Sequence, residues 1–214
     1  HVRPYRHNRE TPYAISCDWG HSNPHVLFMA QLPDGALIVF DEMCPDGGTN
    51  RDRFRQMIVD RCAQYGRPPE WAIGDRAVRS EMAWLMGQFP AAQVSRMRSR
   101  EEQSIISGIA VVNSLLDPVQ GAPMLYLSTD VAGRQDRRAL VKAMLNYRYR
   151  QMADGTIDTM RARKDGISDH ACDCLRMACV VLAEQSKATF TLDRTHGRKR
   201  TSGLGSRPSF LGRR

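Results

Sequence analysis

A turn with a stated mechanism, Pro33-Asp34-Gly35, separates two strand-forming runs, residues 26–32 and 36–43. Proline fixes φ, aspartate caps the turn with its carboxylate, and glycine takes a positive φ, so the two runs are predicted to pair as a hairpin. A third such run, residues 13–19, directly precedes them. Residues 50–65 then place Phe54, Met57, Ile58, Arg61 and Cys62 at helical spacing, and Gly66 ends the pattern. Pro68-Pro69 and a strand-like stretch at 71–74 follow, giving the order β-β-β-α-β.

Beyond this point strands and helices alternate. The pattern predicts a helix over 80–89, a short strand over 93–97, and a helix over 101–116 with Ile105, Ile109, Val112 and Leu116 on one face. A strand over 124–127 follows. Leu140, Ala143, Met144 and Tyr147 give helical spacing to 134–149, residues 151–163 read as irregular or hairpin-like, and 168–184 is the last strong helix. Such alternation around a mixed sheet is the signature of an α/β fold. No internal repeat is present.

With 214 residues the chain can bury one sizeable core with short appendages. Hydrophobic residues make up 42% and charged residues 25%, as in ordinary soluble proteins, and no run of about 18 apolar residues offers a membrane span. Residues 1–12 are polar and read as a linker or domain junction, without the apolar run of a signal peptide. Residues 13–187 would form the folded domain and 188–214 a basic, flexible tail. Cysteines 17, 44, 62, 172, 174 and 179 lack the paired C-x-x-C spacing of a zinc site and read as reduced, partly buried thiols. The formal charge is +8, but residues 194–214 hold seven Lys or Arg and no acid. The preceding 193 residues carry 24 cations against 23 acids, so the excess lies in the tail. Arg198, Lys199 and Arg200 are its densest run, suited to a polyanion such as DNA, the alternative being a merely solubilising end.

Three places put a carboxylate where a fold would present it. Asp18 ends the first strand run, Asp75 follows the strand at 71–74, and Asp173 lies near the start of the last helix. Asp169 is one helical turn before Asp173, so the two can point together, while Ala171, Leu175, Ala178 and Leu182 form the apolar face. A single aspartate after a strand is commonly a turn residue or a helix cap. Several together repel unless a cation sits among them, and oxygen-only ligands suit Mg²⁺ or Mn²⁺. Two such ions about 3.5–4 Å apart can activate water and stabilise the leaving oxygen in phosphodiester cleavage.

Asp18-Trp19-Gly20 on a first strand before a hairpin, Gly74-Asp75 after a strand, and the run from Lys164 through Asp169-His170 to Asp173-Cys174-Leu175-Arg176 resemble the nuclease domain of the large terminase subunit of tailed bacteriophages. The resemblance covers residues 13–184. It implies an RNase H-like mixed central sheet flanked by helices, and a metal-dependent endonuclease cutting concatemeric double-stranded DNA during genome packaging. It also implies Asp18, Asp75 and Asp173 as ligands for two Mg²⁺ or Mn²⁺ ions, with Asp169 as a further ligand. By the same resemblance His170 takes part in the site chemistry and Lys164 contacts a scissile phosphate. Portal and small terminase subunit would be partners, in the cytoplasm of the infected bacterial host. No G-x-x-x-x-G-K-[ST] loop is present, so the ATPase motor of a full terminase is absent and no nucleotide partner is expected. Two other readings remain: a different RNase H-like DNA enzyme such as a junction resolvase, and a non-catalytic DNA- or portal-binding module whose acids are structural.

Overall fold

The computed structural model describes residues 1–20, 23–45, 47–75, 78–96 and 105–197. Its strands are β1 (Val2–Arg3), β2 (Tyr13–Asp18), β3 (His25–Gln31), β4 (Leu37–Met43), β5 (Trp71–Gly74), β6 (Gln93–Arg96), β7 (Leu125–Ser128), β8 (Tyr149–Gln151) and β9 (Ile157–Ala162). Its helices are α1 (Arg51–Gln64), α2 (Arg79–Gln88), α3 (Ile105–Leu116), α4 (Thr129–Ala132), α5 (Leu140–Asn146) and α6 (Asp169–Gly197). Seven strands form one sheet in the order β1-β7-β4-β3-β2-β5-β6, and β8 pairs with β9 separately. The β2-β3-β4 meander is antiparallel; β7 joins β4, and β5 joins β2, in parallel. This is the mixed central sheet flanked by helices that the resemblance implied.

The hairpin turn works as its residues dictate. Gly35 N–H donates to Leu32 O at 2.8 Å, Ala36 N–H donates to Asp34 Oδ1 at 3.0 Å, and Gly35 has φ +85°. Between Phe28 and Met29 the β3–β4 register shifts, so Phe40 is an extra residue in β4.

Burial of both sheet faces explains why β2, β3 and β4 are apolar almost throughout. On one face Ile15, Cys17, Phe28 and Ile38 pack with Phe54, Ile58 and Cys62 of α1 and Met82 and Leu85 of α2. On the other, Ala14, Leu27, Val39 and Ile73 meet Leu140 of α5 and Ala171, Leu175 and Ala178 of α6. Asn50 caps α1 by accepting from Arg53 N–H at 2.8 Å, and the apolar residues one turn apart that follow it face the sheet.

Two expectations need correction. The first residues are not a bare linker: β1 pairs with β7, Arg3 lies over the Tyr126 ring at 3.4 Å, and His7 stacks on Phe40 with centroids 4.3 Å apart. The helix expected over 134–149 is only α5. Its start is set by buried Glu42, whose Oε2 accepts from Leu140 N–H at 2.8 Å, and its end by the extended Tyr147 that leads into β8. Helical spacing cannot register a cap supplied by a distant strand.

The chain divides into two compact units, His1–Leu182 and Ala183–Arg214. In the second, α6 continues to Gly197. Residues 198–200, and so Arg198, Lys199 and Arg200, lie outside the described residues.

Candidate metal centre

Parallel pairing aligns the carboxyl ends of β2 and β5. Cys17 is opposite Gly74, so Asp18 and Asp75 are the next residues along two adjacent parallel strands. Asp18 is half-buried and Asp75 exposed. Gly20 N–H donates to Asp18 Oδ1 at 3.0 Å.

The start of α6 is pinned beside these strand ends. Ser16 Oγ donates to Cys174 O at 2.8 Å, and Cys174 Sγ donates to His25 O at 3.3 Å. His170 Nδ1 then lies 3.3 Å from Asp18 Oδ1, a charge contact whose angle does not make a hydrogen bond. A Cβ on Gly20 would fall 2.3 Å from the His170 ring, so this approach requires glycine. Facing Asp18 raises the pKa of His170, against the opposing effect of burial.

Lys164 arrives from the loop after β9. That loop is held by Asp165 Oδ1, which accepts from Ile167 N–H at 2.9 Å and Ser168 N–H at 2.7 Å, by Gly166 at φ +69°, and by Asn23 donating to Gly166 O at 2.6 Å. The Lys164 ammonium contacts Asp173 Oδ2 and lies 3.6 Å from Asp169 Oδ2. Arg176 approaches the other Asp173 oxygen at 3.3 Å. Burial disfavours the Lys164 charge, but Asp173 and Asp169 outweigh it and its pKa is raised.

The structure therefore gathers Asp18, Asp169, His170, Asp173 and Lys164 and places Asp75 on the strand end beside Asp18. Among the described residues no three His, Cys, Asp or Glu side chains close into a ready-made metal cage. Lys164 stands among the carboxylates instead, answering the mutual repulsion that the sequence implied. The donors nevertheless fit a hard divalent cation. They are oxygens, one cationic group already rests among them, and buried Asp169 Oδ1 has no hydrogen-bond partner.

Three features of the site emerge only with the structure: Gly20 as a packing requirement, Arg176 as a partner of Asp173, and the arginines of the β8–β9 hairpin. For the last a signal existed: Arg148 and Arg150, like Arg161 and Arg163, recur at the two-residue spacing of a strand face. The six cysteines are free; burial pushes Cys172 up to about 12 and Cys44 up to about 11.

No protein-family profile matches this sequence, and no curated protein matches it significantly. Solved structures do match. A large terminase from a thermophilic bacteriophage superposes with a TM-score of 0.62 at 16% identity, over 84% of this chain and 42% of its own. This chain thus spans well under half the length of that protein. The large terminase nuclease domain of bacteriophage SPP1, determined with bound Mn, gives 0.54 at 11% identity over 83% of this chain and 93% of its own. Thermus thermophilus RuvC, in complex with a Holliday junction substrate, gives 0.40 at 10% identity over 81% and 95%. In fold this chain is similar to these large terminase structures.

Proposed function

We propose that this chain is a metal-dependent endodeoxyribonuclease that cleaves concatemeric double-stranded viral DNA during genome packaging, as the nuclease part of a large terminase. The reading rests on one observation above the others. Asp18 and Asp75 end adjacent parallel strands, and α6 brings Asp169 and Asp173 to the same side as Asp18, through the His170 contact, on a fold shared with terminase nucleases.

Asp18, Asp75 and Asp173 would hold two Mg²⁺ or Mn²⁺ ions, with Asp169 as a further ligand; the SPP1 domain with its bound Mn supports that choice. When bound, such ions lower the pKa of a water and stabilise the departing oxygen. The chain's own residues do the rest. His170 orients the Asp18 carboxylate and can hold a proton at Nδ1. Lys164, released from Asp173, reaches the scissile phosphate. Arg198, Lys199 and Arg200 add a diffuse attraction for the DNA backbone. Portal and small terminase subunit are the partners this role requires, in the cytoplasm of the infected host.

Supercoiled plasmid incubated with Mn²⁺, Mg²⁺ or chelator tests the reading. Nicking with either ion, abolished by chelator and by Asp75→Asn in a folded protein, is the expected result. Cutting that survives chelation, or Asp75→Asn with wild-type rates, would remove it; no cutting with either ion would favour the DNA- or portal-binding module.

A further inference from the structure

The β8–β9 hairpin and the residues that flank it are basic. Residues 148–164 contain five Lys or Arg and two Asp, while residues 1–193 together carry a net charge of only +1. The charges also converge in space. Arg163 N–H donates to Arg148 O at 2.8 Å, tying the two strands at the hairpin base, and the register shift between Tyr149 and Arg150 alters the ladder beside Arg161. Arg150, Arg161, Arg163 and Lys164, with Ile105 and Ala162, line one recess of about 520 Å³. Arg148, Arg150, Arg161 and Arg163 are exposed, and Asp158 answers Arg161 at 3.6 Å.

Asp158 is opposite Arg150 in the ladder and also answers Arg161, so one carboxylate serves two arginines and Arg163 and Lys164 add further positive charge to the same recess. The recess is far larger than one ordered water needs, at about 30 Å³, and guanidinium groups present paired donors matched to phosphate oxygens. Lys164 belongs both to this recess and to the acidic centre, where its ammonium meets Asp173 and Asp169. Any chain seated among the arginines is therefore led directly to those carboxylates.

We infer that the recess lined by Arg150, Arg161 and Arg163 is a phosphodiester-binding site, which holds the backbone of duplex DNA next to the position of cutting. This rests on the nuclease reading for its substrate, but binding can be measured with no cutting at all.

A fluorescent 30-base-pair duplex is titrated in chelator over a series of salt concentrations, and anisotropy gives the affinity. The triple variant Arg150→Gln/Arg161→Gln/Arg163→Gln is compared with a control, Arg53→Gln/Arg79→Gln, which removes exposed charges from α1 and α2 across the sheet. Each lost phosphate contact lowers the slope of log affinity against log salt by about 0.9, so the triple variant should lose up to roughly 2.7 and at least tenfold in affinity. The control should change less than twofold. If wild type binds and the triple variant loses no more per charge than the control, the recess is not the site, while the nuclease reading stands. If wild type binds no DNA, both fail. Arg161→Gln and Arg163→Gln singly, each expected to lower the slope by about 0.9, repeat the test should the triple variant not fold.

Discussion

Lys164→Met should make the metal-free protein less stable and yet more responsive to metal. Asp169 and Asp173 are nearly buried, with side chains 7% and 11% exposed, while Lys164 is 47% exposed. Removing one partner of a fully buried ion pair costs about 3–5 kcal/mol. Here the lysine is half in water and Arg176 still answers Asp173, so the loss should fall to about 1–2 kcal/mol. In a domain of this size each kcal/mol moves Tm by about 2–4 °C, which gives a drop of about 2–8 °C in chelator. Methionine keeps the length of the lysine stem, so packing changes little. With the ammonium gone, a divalent ion no longer has to displace it. A tenfold gain in Mn²⁺ affinity would add about 1.4 kcal/mol to the metal-induced stabilisation. Differential scanning fluorimetry with chelator and with saturating Mn²⁺ reads both quantities. An unchanged Tm in chelator, or a smaller Mn²⁺ shift than wild type, would show that Lys164 does not neutralise these carboxylates.

Gly20→Ala would drive the His170 ring back by roughly 1 Å to restore van der Waals contact. Misplacement on that scale costs about 10²-fold, so plasmid nicking with Mn²⁺ should fall to that extent while Tm moves little. Deleting residues 194–214 removes seven cations and should flatten the salt dependence of DNA affinity without changing metal binding; an identical slope would deny the tail a DNA contact. Among ions, Mn²⁺ should support cutting at least as well as Mg²⁺, whereas Ca²⁺ should bind and raise Tm but support little cutting. His170, its pKa raised by Asp18, contributes stability that is complete below its unfolded value of about 6.5 and lost as pH rises through the higher folded value. Metal-free melting curves from pH 5 to 9 should show that loss, and Asp18→Asn should shrink it, with Asp169 and Asp173 sustaining the remainder.

Local chemistry made much of the fold legible. The Pro33-Asp34-Gly35 turn and the helical spacing of Phe54, Ile58 and Cys62 each carry their structure within a few residues. What stayed hidden depends on partners far along the chain. Nothing near Leu140 announces that Glu42 caps its helix, and nothing in residues 1–12 announces a strand beside β7. The acids were legible as strand-end and helix-start positions, because parallel strands bring their carboxyl ends to one edge. The Lys164 contact with both α6 carboxylates was not, since it depends on the loop conformation fixed by Asp165, Gly166 and Asn23. The hairpin arginines were visible as a two-residue repeat, but their convergence depends on a register shift that spacing does not reveal.

The central claim is that divalent ions are held by carboxylates of β2, β5 and α6. Crystals soaked in Mn²⁺, with diffraction measured at the manganese absorption edge, locate those ions directly. Two anomalous peaks about 3.5–4 Å apart, ligated by Asp18, Asp75 and Asp173 with Lys164 moved off Asp173, are the expected result. Peaks elsewhere with Lys164 still seated between Asp169 and Asp173, or no peak at saturating Mn²⁺, would contradict it.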